Sequence, residues 1–187
     1  MKELCLRSKQ KGTFAVEFAI VGVIFAVFLA FTSDVVTKIA MKGKLDRLSF
    51  SAVSIVKERT QLYTKANVVD YTMSSSEVAD IYKVLKRSMK RTTSSFSASK
   101  FGMVLEEQTY GLNGSRNALA TFNRGTNRCQ ISNNLSSLEQ NLAVTTTWGR
   151  KSTLYRVTLC YETDNGVAGM LSNGFTTVTS SSVILGR

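Results

Sequence analysis

From Thr13 to Phe31 the chain runs nineteen residues with one charged side chain, Glu17, in a stretch dominated by Phe, Ile, Val and Ala. At about 1.5 Å per residue, a helix of that length nearly spans the roughly 30 Å hydrocarbon layer of a bilayer. The sequence contains no proline, so nothing interrupts such a helix from within. The run follows MKELCLRSKQKG, in which Lys2, Arg7, Lys9 and Lys11 stand against Glu3. A secretory signal would need small residues at −3 and −1 of its cleavage site. Cutting after Ala30 leaves Phe28 at −3, and cutting after Ser33 leaves Phe31 there. Charge does not orient the span, because Lys38, Lys42, Lys44 and Arg47 beyond it balance the four basic residues before it.

Composition narrows the function classes. The chain has 24 Lys+Arg against 13 Asp+Glu, a formal charge of +11, and 43% hydrophobic residues, enough for a core. It has no histidine, which removes the imidazole base, the usual zinc ligand and the histidine triads together. Glu106 and Glu107 are adjacent on a strand and point to opposite faces, so they do not make a catalytic pair. No enzyme activity, metal or cofactor is expected. Nucleic acid is not expected either, since no aromatic-interleaved basic motif accompanies the charge.

A carboxylate inside an apolar helix costs up to about 2.5 to 3.5 kcal/mol at mid-membrane, so Glu17 reads as a functional residue. The alternative is that it lies at headgroup level and stays wet. The basic leader followed by Lys11-Gly12-Thr13-Phe14-Ala15-Val16-Glu17-Phe18 resembles a prepilin of the type IV filament superfamily, and Glu17-Phe18 resembles its Flp, tight-adherence branch. FAVEFAIVG, GKLDRLSFSAVSIVKERTQLY from Gly43 to Tyr63 and the terminal SSSVILGR are together similar to TadF-type pseudopilins of the TadE/TadF family. TadE-type sequences usually carry a proline in the apolar helix and a second Glu near its end; here proline is absent and Asp34 takes the acidic position.

The resemblance implies a pilin-like, non-enzymatic protein cut by a prepilin peptidase between Gly12 and Thr13. It assigns Glu17 and Phe18 to assembly, with Glu17 pairing with the N-terminal amine of a neighbouring subunit. Implied partners are the peptidase, other pseudopilin and major pilin subunits, the inner-membrane pilus assembly platform and membrane lipid. The implied location is the bacterial inner membrane, crossed once, with the N-terminus cytoplasmic and the head periplasmic or incorporated into a pilus serving adhesion or biofilm formation. The competing reading is a signal-anchored periplasmic binding protein or adhesin that never enters a filament.

The pattern beyond the membrane predicts an α+β protein. Val35, Val36, Ile39 and Ala40, then Leu45, Leu48, Ala52 and Ile55, continue an apolar stripe that extends the helix to about Tyr63. A second, shorter helix is expected over Ser76 to Arg91, opened by Ser74 with Glu77 at capping-box spacing and carrying Val78, Ile81, Tyr82, Leu85 and Met89 on one face. Its basic end (Lys83, Lys86, Arg87, Lys90, Arg91) suits the helix dipole as a solvated face, or could meet anionic lipid or an acidic partner. After the loop TTSSFSAS, an antiparallel sheet is expected from FGMVLEEQTY, STLYRVTLCYET and FTTVTSSSVIL, with turns at Asn113-Gly114, Asn165-Gly166 and Asn173-Gly174. In the second of these strands Tyr155, Val157, Leu159 and Tyr161 form the more apolar face, expected to meet the long helix, and Trp148 reads as a packing anchor. The resulting organisation is leader 1–12, membrane part 13–33, spine helix 34–65 and α+β head 66–187. With Cys5 in the leader, Cys129 and Cys160 remain as a pair that invites a disulfide in an oxidising compartment; the alternative is two small buried hydrophobes.

Overall fold

The computed structural model describes residues 10–58, 72–111, 113–147, 149, 151–164 and 176–186. Helix α1 spans Gln10–Lys57 and α2 spans Ser75–Thr92. The strands β1 (Phe101–Gln108), β2 (Ala120–Gly125), β3 (Leu154–Glu162) and β4 (Thr177–Leu185) follow, with helix α3 (Leu135–Leu142) between β2 and β3. The chain divides into two compact units, Met1–Ile39 with Asp164–Thr176, and Ala40–Thr163 with Thr177–Arg187.

In the second unit the four strands form one antiparallel sheet in the order β2-β1-β3-β4. One face of the sheet carries Phe101, Met103 and Leu105 of β1 and Tyr155, Val157, Leu159 and Tyr161 of β3. These pack with Met41, Leu45, Ala52, Val53 and Val56 of α1 and with Val78, Ile81, Leu85 and Met89 of α2. The apolar alternation of β3 therefore meets the long helix on the side its sequence indicates. Each fully buried Leu, Val or Met on this face contributes about 1.5 to 3 kcal/mol relative to exposure. Helix α2 starts where the capping box predicts: Glu77 N–H donates to Ser74 Oγ at 3.3 Å, and Ser74 N–H donates to Glu77 Oε2 at 2.8 Å. Stacked Tyr82 and Phe101 (5.7 Å) and Phe96 and Tyr161 (5.8 Å) close one edge of this core.

The helix stops at Lys57, with Glu58 in a turn, where the apolar stripe gives way to charge; Tyr63 lies outside the described residues. Edge strand β4 is fastened to α1 by polar groups. Ser49 Oγ lies 3.1 Å from Ser180 Oγ and 2.8 Å from Ser182 Oγ, and Lys42 Nζ donates to Thr179 O at 2.8 Å. Asp46 is held below the ordinary carboxylate range, chiefly because Ser180 Oγ donates to it, with Lys42 3.0 Å away helping against partial burial.

Over the central strands β1 and β3 the other face of the sheet is covered too, which leaves all eight residues of β1 buried. Leu135 of α3 joins Val104 and Leu154 there. Glu106 of β1 and Arg156 of β3 are cross-strand partners in the sheet register and form a buried ion pair, in which Arg156 Nε donates to Glu106 Oε2. Glu106 Oε1 also accepts from Leu135 N–H at 3.2 Å, and so holds the first turn of α3. Glu107 faces the opposite way and accepts from Met73 N–H at 2.8 Å. Gly102 permits the close approach of the segment before Cys129: a Cβ there would meet Asn127 O at 1.9 Å. Cys129 and Cys160 are joined in the structure, with Cα atoms 5.4 Å apart.

Strand β2 and helix α3 add to the elements expected from sequence. The Asn113-Gly114 turn is present, with Gly114 at φ 75° and Asn113 Oδ1 accepting from Ser115 N–H at 3.1 Å. The Asn165-Gly166 and Asn173-Gly174 turns and Trp148 lie outside the described residues.

Candidate functional site

The residues singled out at the N-terminus all lie on α1. Every residue from Gly12 to Phe31 is exposed, Phe14 and Phe18 at 71%. Such a surface cannot remain in water: soluble monomers rarely expose apolar patches beyond a few hundred Å², whereas here the whole circumference of about five helical turns is apolar. Lipid or other helices must cover it. By length and composition α1 is the one helix among the described residues able to cross a membrane.

Within this helix Thr13 and Glu17 are four residues apart and so share one face, one turn above each other. Phe18 follows on the adjacent face. Ala15, Ala19, Gly22, Ala26 and Ala30 recur at spacings of three and four, a low ridge along which another helix backbone can approach closely. Ala15 and Ala19 line a shallow apolar groove with Val16, Ile20, Val23 and Ile24, of about 480 Å³. A Cβ on Gly12, Gly22 or Gly43 would meet nothing within 4 Å among the described residues, so none of these glycines serves a contact with them. The chemistry available here is helix packing and one carboxylate.

The buried carboxylates among the described residues of the head are committed to structure. Glu106 and Glu107 are both buried and hydrogen bonded as described, and among the described residues no group of three or more Cys, Asp or Glu could hold a metal ion. Glu139 of α3 accepts from Arg116 Nη1 at 3.3 Å and Lys151 Nζ at 3.4 Å, clipping two loops to one short helix. Burial raises its pKa, but the hydrogen bonds from Arg116 and Lys151 outweigh burial, and the carboxyl ends below its ordinary 4.5. Burial and the nearby Glu139 charge push the Tyr110 phenol up to about 12. A depressed carboxyl stabilises the fold above its unfolded pKa, and that contribution is lost as pH falls through the folded value. Thermal unfolding should therefore show stability falling below about pH 4.5. Glu139→Gln should be less stable at pH 6 and lose less on acidification, the remaining loss including that of Asp46, which is shifted in the same direction.

Sequence reasoning missed the Glu106–Arg156 pair and the Glu139 cluster; an Arg among the small polar residues of one β3 face was the available signal for the first. Comparison with known proteins bears out the family resemblance. The TadF family model, described as "Putative tight adherence pilin protein F", matches residues 5–187, nearly the whole chain. Neither a curated protein nor a solved structure gives a match. Because the family match runs through α1 and the sheet alike, the chain belongs to the TadF family of tight adherence pilin proteins.

Proposed function

We propose that this chain is a minor pilin or pseudopilin, cut by a prepilin peptidase between Gly12 and Thr13, that serves in assembling or priming a tight-adherence pilus. Family membership makes it a tight-adherence pilus component and points to a structural, non-enzymatic role. The observation that carries the finer reading is an apolar helix exposed all round, interrupted only by Glu17 at the fifth position after Gly12.

In this account the uncut protein waits in the bacterial inner membrane, crossing it once, with residues 1–12 in the cytoplasm and the head in the periplasm. The oxidising periplasm suits the Cys129–Cys160 bond. Cutting leaves the α-amine of Thr13 one helical turn from Glu17. A neighbouring subunit displaced by about four residues, roughly 6 Å along the axis, brings its amine to this carboxylate. Each charge then relieves the burial cost of the other. The small-residue ridge lets other pilin helices pack beside it, and the inner-membrane assembly platform would receive the packed helices. Priming suits a subunit with a head this large better than building a thin shaft.

Deleting the gene should leave cells without tight-adherence pili by electron microscopy, with pili restored by the wild-type chain. Normal pili on the deletion strain would favour the signal-anchored adhesin or binding protein instead.

A further inference from the structure

Helix α2 carries Lys83, Lys86, Arg87, Lys90 and Arg91, all exposed, at spacings of three and four. That spacing gathers them into one stripe, opposite the buried face of Val78, Ile81, Leu85 and Met89. Lys83 is paired with Asp80 at 2.9 Å, whereas the other four form no ion pair with a described residue. Like charges at these spacings repel, so the stripe weakens the helix that bears it. The helix dipole accounts only for the last turn. There the final carbonyl already has a cation: Lys44 Nζ donates to Thr92 O at 2.8 Å. The stripe is thus surplus to folding.

Lys44 also fixes where the stripe ends. Lys44 stands eleven positions after Ser33, the end of the membrane part of α1, so chain length alone bounds how far the basic end of α2 can lie from the bilayer that α1 would cross. Tethering raises the effective concentration of that surface for the stripe. Tyr82, the aromatic residue beside the stripe, is stacked on Phe101 and not offered for base stacking.

We infer that the basic stripe of α2 binds the anionic phospholipid headgroups of the membrane that α1 crosses, and so holds the head down on the bilayer until assembly lifts it. The inference rests on the membrane-spanning reading of α1. Juxtamembrane Lys and Arg draw strength from a negative surface potential that decays within a Debye length.

The test uses the full chain reconstituted in phosphatidylcholine vesicles with or without 30% phosphatidylglycerol, with amine labelling of Lys86 and Lys90 read by mass spectrometry. In the anionic vesicles both lysines should label roughly tenfold more slowly, with rates recovering in about 1 M salt, where the Debye length is about 3 Å. Lys151, beside α3, should change little. Arg87→Glu with Arg91→Glu, both exposed, should abolish most of the protection. Equal labelling in the two vesicle types would overturn the inference, as would protection that needs other pilus proteins and ignores lipid charge. Co-flotation with neutral vesicles tests the spanning reading separately: a chain that floats yet shows no protection sinks only the stripe's role.

Discussion

Replacing Glu17 by Ala or Gln should leave the protein inserted and its head folded while lowering incorporation into pili by on the order of 10² to 10³. The magnitude follows from removing one partner of a desolvated charge pair, which costs about 3 to 5 kcal/mol, each 1.4 kcal/mol being tenfold. The head should be unaffected, because Glu17 is exposed on the apolar part of α1 and its core lies in the unit beginning at Ala40. Immunoblotting of sheared pili against total membrane protein separates the two effects. Normal pili with Glu17→Ala would assign the residue to the wet headgroup level and favour the signal-anchored reading.

The second large effect concerns the head. Glu106→Gln keeps an oxygen acceptor for Leu135 N–H but leaves Arg156, its side chain 6% exposed, without its counter-charge. A loss of about 3 to 5 kcal/mol is expected, against total stabilities of about 5 to 15 kcal/mol for a domain. Arg156→Met should cost a similar amount by stranding Glu106. Combined, the two should cost far less than their sum, since the double variant buries no unpaired charge. Denaturant unfolding in detergent micelles, followed by circular dichroism, measures the cycle. Strict additivity would mean that the two side chains do not act as a pair.

The contrast between these residues shows what the sequence made legible. Glu17 stands out because its cost is local: one carboxylate in a run without other charges needs no knowledge of the fold. The start of α2 was equally readable, since Ser74 and Glu77 satisfy each other's backbone within four residues. The alternation of β3 identified the face that meets α1. Strand β1 could not be read this way: it is covered on both faces, so FGMVLEEQ shows no alternation of burial, and its polar residues look solvated. Glu106 finds Arg156 only after strands fifty residues apart adopt the order β2-β1-β3-β4, which no local pattern announces. Helix α3 has eight residues, close to the lower limit for a periodic signal, and β2 is a short edge strand ending in Asn-Arg-Gly.

The central claim is that the chain is a processed filament subunit, and the N-terminal sequence of the mature protein tests it most directly. Membranes from cells with and without the prepilin peptidase should differ, with a start at Thr13 in the first and at Met1 in the second. A start at Met1 in both would contradict the account, because Glu17 would then have no neighbouring Thr13 amine to pair with.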